Sequence, residues 1–471
     1  MAQKQYDLGM VGLGVMGRNL LLNMADHGFT VAGYDKDSQK VEALRSEAGN
    51  RPIQGADDVA GFVSLLKKPR TIMLLVPAGK IVDAVIADLL PRLETGDLII
   101  DAGNSHFMDT DRRQQELEPK GLHFFGMGVS GGESGARHGP SMMPGGPKQA
   151  YGIVRAVLEA CAAHVDGDPC VTYLGPRSAG HYVKMVHNGI EYGIMQLIAE
   201  TYDLLKRGLD LTNDELAALF AEWNRAELNS FLVEITADIF RRVDPTTGKH
   251  LVDLILDVAR QKGTGEWTTQ DALELHVPTP TIDMAVAMRN LSGQEEERSA
   301  MAKKFGASVQ TYKGDRTAMI EHLRRALYAS TILTYAQGME QLRAASQKYE
   351  YDLDLAAIAR IWRGGCIIRS ALLEPIYHAY SRQPVVSHML LDNTLGNAVA
   401  ERTADLRLVA QTAAGLGIPA SGLMSSLAYF DGLCVGHLPA NLIQAQRDYF
   451  GAHTYERIDQ SGVFHTEWEK A

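Results

Sequence analysis

Gly12-Leu13-Gly14-Val15-Met16-Gly17 follows the apolar run Tyr6–Val11 and opens the helical pattern Met16–His27. Glycines in this arrangement allow a tight strand-to-helix turn whose backbone comes close to a pyrophosphate at a helix N-terminus. Alone, G-x-G-x-x-G is a weak signal, and a glycine-rich turn with a purely structural role competes with it. Here it stands at the first turn of a strand–helix–strand unit, the context a dinucleotide fold requires. Asp35 closes the next apolar run, Phe29–Tyr34, 23 residues after Gly12. An acidic side chain at that place can bond the adenosine ribose hydroxyls. Asp35-Lys36-Asp37-Ser38 is also good N-cap chemistry, so Asp35 could equally cap the following helix. Asp35 repels a 2′-phosphate whereas Lys36 attracts one, which favours NAD modestly and leaves dual use open.

The same alternation continues to about residue 178. Arg70–Val76, Asp97–Ala102 and Leu122–Met127 read as further strands, Ile81–Leu90 and Thr110–Leu117 as helices, and Val171–Gly175 as a last strand. The alternation predicts a doubly wound parallel sheet with helices on both faces. From Gly180 onward strand signals nearly vanish, and long helical patterns such as Tyr182–Lys206 and Ile320–Lys348 take over. The expected class is therefore α/β plus all-α: a Rossmann-type domain over 1–178, an all-helical domain over 179–440, and a tail over 441–471. An internal duplication is a further reading of the helical region. Leu216-Ala217-Ala218 and Trp223 recur as Leu355-Ala356-Ala357 and Trp362 at an offset of 139, and Leu232 and Glu234 as Leu372 and Glu374 at 140. Chance likeness between amphipathic helices is the alternative. From Asp448 the helical period fades, yet Tyr449, Phe450, His453, Tyr455, Phe464, His465 and Trp468 crowd the end of the chain. So many rings point to a segment that docks, with another subunit as one candidate surface, rather than a frayed terminus.

Composition narrows the partners. The 471 residues carry 46 basic and 57 acidic side chains, a net charge of −11, which argues against non-specific nucleic-acid binding. An anionic substrate would need its own local basic cluster. Cys161, Cys170, Cys366 and Cys434 show no metal-type spacing and fit free thiols in a reducing compartment. The start lacks a signal-peptide pattern, and no apolar run approaches the ~20 residues of a membrane helix. A cytoplasmic protein is expected.

The chemistry concentrates in His181–Glu191. Lys184, His187, Asn188 and Glu191 stand at i, i+3, i+4 and i+7 and share one helix face. Val183, Val186, Ile190, Ile194 and Leu197 form a separate arc able to enter a core. Lys184 and Glu191 lie about 10 Å apart along the axis, too far for a simple ion pair but able to bracket a small substrate. A solvated polar stripe is the bland alternative. Gly189, inside the helix, costs about 1 kcal/mol relative to Ala and marks a close approach by a ligand or a neighbouring backbone. Three loops at the C-terminal strand ends, Val76-Pro77-Ala78-Gly79, Asp101-Ala102-Gly103-Asn104 and Gly128-Val129-Ser130-Gly131-Gly132-Glu133, fall where such sheets bind ligands, although unliganded turns would look alike.

Taken in order, Gly12–Leu20, Gly128–Ala136, Gly139–Gly146, Gly180–Tyr192, Lys262–Trp267 and Asn441–Tyr455 resemble the long-chain 6-phosphogluconate dehydrogenases across essentially the whole sequence. The resemblance implies oxidative decarboxylation of 6-phospho-D-gluconate to D-ribulose 5-phosphate and CO2 with reduction of NAD(P), in the oxidative pentose phosphate pathway, without a metal. It assigns Lys184 as general base and Glu191 as general acid. Ser130, Gly131, Gly132, His187 and Asn188 would hold the carboxylate and hydroxyl end, Tyr192, Lys262, Thr264, Arg289, Arg447 and His453 the phosphate end, and Asn104 would also bind the substrate. Gly12, Leu13, Gly14, Val15, Met16, Gly17, Asp35, Lys36, Val76 and Asn104 would meet the cofactor. Arg447 and His453 would come from the partner of a homodimer, with higher assembly open. The sequence departs from the family in two places. Asp35-Lys36-Asp37 replaces the common Asn-Arg-Ser/Thr, so no guanidinium is available to grip a 2′-phosphate and substantial NAD use is expected. Gly14 stands where many members have Ala. A β-hydroxyacid dehydrogenase acting on an unphosphorylated acid would lack Lys262, Arg289, Arg447 and the long tail. A non-catalytic nucleotide-binding regulator would have no need of both Lys184 and Glu191.

Overall fold

A computed structural model describes residues 5–306, 309–382 and 386–468. The outermost residues of the first and last predicted segments, 1–4 and 469–471, lie outside it. Seven strands form one sheet: β1 (Leu8–Val11), β2 (Val31–Tyr34), β3 (Ile53–Gly55), β4 (Thr71–Leu74), β5 (Leu98–Asp101), β6 (His123–Ser130) and β7 (Ser141–Gly145), in the order β3-β2-β1-β4-β5-β6-β7. The first six pair in parallel, and β7 runs antiparallel to β6. Side chains alternate between the faces: Leu8, Met10, Met73 and Ile100 enter one core, whereas Val11, Ile72, Leu74 and Ile99 enter the other. Such a sheet, buried on both sides by crossover helices, accounts for the near-continuous apolar strands.

Two expectations need correction. The short β3 and the antiparallel β7 were not foreseen, so the sheet is mixed rather than wholly parallel. Val171–Gly175 is not a strand: it touches the β7 edge through one isolated bridge, Met142↔Val171. Met142 N donates to Cys170 O at 3.0 Å and Leu174 N to Pro144 O at 2.9 Å, but Pro144 between them has no N–H to continue the ladder.

Beyond Ala179 the long elements are helical. The Ala179–Asp203 helix runs unbroken through Gly189 and packs against the 33-residue Arg316–Lys348 helix. Val183, Val186, Ile190, Ile194 and Leu197 are all buried, each worth about 1.5–3 kcal/mol on transfer from water. A Cβ on Gly189 would stand 2.5 Å from Thr268 Cγ2, so the glycine admits a neighbouring side chain rather than a ligand or backbone. Thr268 donates its hydroxyl to Met185 O at 2.9 Å, locking the Thr264–Glu274 helix onto this face.

The repeat seen in the sequence has a structural counterpart. The Asn213–Trp223 and Phe231–Arg241 helices form one packed pair, and Leu355–Ile361 and Leu373–Ser381 form another. Ser230 and Ser370 pair antiparallel, with Phe231 N donating to Arg369 O at 3.0 Å and Ala371 N to Asn229 O at 2.9 Å. Ser230 and Ser370, 140 residues apart, thus face each other at the starts of the two second helices, which supports duplication. The tail is more helical than its composition implied. Ala440–Gly451 is a helix, followed by the small Tyr455–Glu456/Val463–Phe464 hairpin. Among the described residues, no helix is long and apolar enough to cross a membrane.

Candidate active site

The Gly12–Gly17 turn joins β1 to the Val15–Asp26 helix. Gly12 has φ +96°, and a Cβ there would strike Leu75 O at 2.4 Å, so the turn requires glycine. Among the described residues, no atom beyond its neighbours in the chain lies within 4 Å of the corresponding position on Gly14, which leaves room for a pyrophosphate against the helix N-terminus. A cleft of about 600 Å³ opens beside it, lined in part by Gly12, Gly14, Asp35, Lys36, Val76 and Pro77. A second, of about 660 Å³, continues past Val15, Met16 and Gly17 to Asn104, Val129 and Lys262. This open-glycine cradle and two-part groove fit an extended dinucleotide.

Asp35 does not cap the next helix. That N-cap is Asp37, whose carboxylate accepts from Gln39 N at 3.0 Å. Asp35 instead accepts from Leu13 N at 2.8 Å and Asp37 N at 2.9 Å, tying the strand end to the glycine turn. Lys36 crosses the cleft to Asp88 at 2.9 Å.

The polar helix face is no solvated stripe. Lys184, His187 and Asn188 are buried beneath β6, and a Cβ on Gly128 would meet Lys184 Cβ at 2.3 Å. Lys184 Nζ donates to Asn188 Oδ1 at 2.6 Å and lies 3.3 Å from His187 Nδ1. Asn188 Nδ2 in turn donates to Thr264 Oγ1 at 2.9 Å. His187 Nε2 lies 3.3 Å from Ser130 Oγ, so the Ser130-Gly131-Gly132 loop joins the cluster. His187 Nδ1 also stands 3.9 Å from Glu191 Oε2. Arg289 stacks its guanidinium 3.6 Å from the centre of the Tyr192 ring, one residue beyond Glu191.

Burial governs the protonation of these groups. It lowers the Lys184 pKa from the ordinary lysine value, against a weaker opposing pull from Glu191. It raises that of Glu191, against Lys184 and Arg289. His187 falls well below its usual value, first through burial and then through Lys184, which favours the neutral imidazole. A lysine shifted toward its amine and a glutamate shifted toward its protonated form share one helix, the pairing of opposed shifts that acid–base chemistry needs.

Arg447 and His453 are not brought to this cluster within one chain. Both are exposed, and their contacts lie inside the tail: Arg447 bonds Gln444 at 3.0 Å and His453 stands edge-on to Phe450 at 5.9 Å. One contributor escaped the sequence reading. The loop after Trp362 closes over the site, Ile367 N donating to Ser130 Oγ at 3.4 Å and Trp362 meeting His187 edge-on at 5.5 Å. The Gly364-Gly365 pair was its available turn signal.

Comparison with known proteins accords with this geometry. Residues 7–175 match the NAD binding domain of 6-phosphogluconate dehydrogenase, and residues 180–468 match the C-terminal domain of 6-phosphogluconate dehydrogenase. The chain is 52% identical to the NADP(+)-dependent, decarboxylating 6-phosphogluconate dehydrogenase of Bacillus subtilis, over 99% of this chain and 100% of that one. It is 51% identical to the decarboxylating 6-phosphogluconate dehydrogenase 1 of Spinacia oleracea, over 98% of each. Among solved structures, the Plasmodium falciparum 6-phosphogluconate dehydrogenase, studied apo, with its cofactor NADP+ and with its substrate 6-phosphogluconate, superposes with a TM-score of 0.95 at 43% identity, over 98% of this chain and 100% of that one.

Proposed function

The chain belongs to the 6-phosphogluconate dehydrogenase family, and on that premise we propose that it oxidatively decarboxylates 6-phospho-D-gluconate to D-ribulose 5-phosphate and CO2, with Lys184 as base and Glu191 as acid. The observation that carries the assignment is the Lys184–Glu191 helix face, buried at Lys184, His187 and Asn188 and half-buried at Glu191, with the lysine and glutamate pKa values moved toward each other. Bound NAD(P) supplies the acceptor for the hydride that leaves carbon 3. Lys184 Nζ takes the 3-hydroxyl proton, which requires the neutral amine that burial favours. The 3-keto acid so formed loses CO2 because its own carbonyl accepts the electrons, and Lys184, now an ammonium, stabilises the developing enolate oxygen. Glu191 then protonates carbon 1 of the enediol.

Ser130, Gly131, Gly132, His187, Asn188 and Asn104 hold the carboxylate and hydroxyl end. Tyr192, Lys262, Thr264 and Arg289 receive the phosphate, completed by Arg447 and His453 from a second copy of the chain. Tail residues Leu442 and Ile443 are each 61% exposed and Phe450 74% exposed in the single chain, which supports a tail that docks across a homodimer. On this reading 1–178 binds the dinucleotide, 179–440 forms the substrate and dimer domain, and 441–471 crosses to the partner in the cytoplasm.

The cofactor reading is dual. Asp35 and Asp37 flank Lys36, and the run Asp35-Lys36-Asp37-Ser38 after the strand holds no arginine, so NAD competes with NADP. The ratio of kcat/KM values tests this: NAD is expected within about tenfold of NADP, and a preference for NADP of roughly a thousandfold or more contradicts it.

A further inference from the structure

The nucleotide cleft carries a solvent-exposed ion pair between its two walls. Its walls include Lys36, Lys40 and Lys80 but also Asp35 and Asp88. Lys40 lies 3.6 Å from Asp35, and Lys36 lies 2.9 Å from Asp88. Lys36 is the first cation beyond the end of β2, where the adenosine ribose hydroxyls arrive in folds of this type. Asp88 comes from the opposite wall, two turns into the Lys80–Leu89 helix. The pair draws the Lys36 ammonium across the cleft, away from the strand end, and raises its pKa. With side chains 66% and 46% exposed, it contributes little to stability. Its effect falls on whatever enters the cleft. A 2′-phosphate reaching Lys36 must approach the Asp88 carboxylate as well, and like charges at such range repel. A plain ribose hydroxyl meets no such repulsion.

We propose that Asp88 is a specificity-determining positioning residue, which holds Lys36 across the cleft and rejects a 2′-phosphate in favour of NAD. The inference rests on the reading of substantial NAD use, and it locates part of the discrimination on a helix 53 residues from Asp35, outside the fingerprint segment. Calorimetric titration of the full-length protein with adenosine 2′,5′-bisphosphate and with AMP separates it from turnover. Asp88→Asn is expected to tighten the bisphosphate on the order of tenfold and to leave AMP within about twofold. Asp88→Ser, which also shortens the side chain, is expected to give the same gain. Adding Lys36→Ala to Asp88→Asn is expected to remove it. Unchanged bisphosphate affinity in both single variants, or a gain that survives the loss of Lys36, overturns the proposal. A wild-type enzyme that strongly prefers NADP in the kcat/KM comparison would instead remove the reading beneath it.

Discussion

Lys184→Met is expected to abolish turnover, lowering kcat by roughly ten-thousand-fold, while NAD(P) binding remains. Methionine matches the length of the lysine stem and keeps its packing beneath Gly128, so what disappears is the amine. Without it no group at this position can take the 3-hydroxyl proton or steady the enolate. The same change is expected to raise thermal stability at neutral pH. The folded-state pKa of Lys184 is lowered relative to the unfolded chain. The lysine therefore costs stability below its ordinary pKa, and the cost fades as pH climbs toward that value. Melting curves near neutrality and at alkaline pH should show the variant ahead at the first and its advantage shrinking at the second. In the wild type, kcat/KM should fall at low pH as Lys184 takes a proton and at high pH as Glu191 loses one. Retained turnover in Lys184→Met would remove the base assignment.

Arg447→Ala is expected to cost roughly 2–5 kcal/mol in kcat/KM, the scale for stripping a charged partner from a desolvated phosphate. The stronger outcome comes from mixing. Subunits carrying Lys184→Met retain a sound tail, and subunits carrying Arg447→Ala retain a sound base. If each site takes its tail from the partner, a mixed dimer rebuilds one intact site and leaves the other doubly defective. Random reassociation makes half the dimers mixed, so activity should recover to about a quarter of wild type from two nearly inactive preparations. No recovery after verified subunit exchange would place the phosphate contacts within one chain and leave the aromatic tail without its assigned role.

What the sequence revealed and what it hid follow from the range of the interactions. The Gly12–Gly17 turn and the Lys184–Glu191 face are local patterns, and both stand where periodicity placed them. The β7 strand was hidden because Ser141-Met142-Met143-Pro144-Gly145 holds a proline and a glycine, which ordinarily argue against a strand. An edge position allows them. The capping of the Ser38–Ala48 helix by Asp37 rather than Asp35 turned on a two-residue difference that composition does not resolve. The Ile367 contact to Ser130 spans 237 residues, and the Lys36–Asp88 pair joins two walls of a cleft. Neither leaves a periodic trace. That the polar face is buried rather than solvated also required the tertiary structure, since β6 and the Thr264–Glu274 helix cover it. The phosphate end stayed least legible, because within one chain Arg447 and His453 stand apart from the cluster they are assigned to complete.

The division of labour between Lys184 and Glu191 is tested most directly by turning over 6-phosphogluconate in deuterium oxide, following reduced nicotinamide, CO2 and the label at carbon 1 of the product together. The wild type should release one CO2 for every reduced nicotinamide and place solvent deuterium at carbon 1. Glu191→Gln should lose the stereospecific protonation at carbon 1, and Lys184→Met should give neither reduced cofactor nor CO2. Reduced nicotinamide without CO2, or stereospecific protonation at an undiminished rate in Glu191→Gln, would contradict the account.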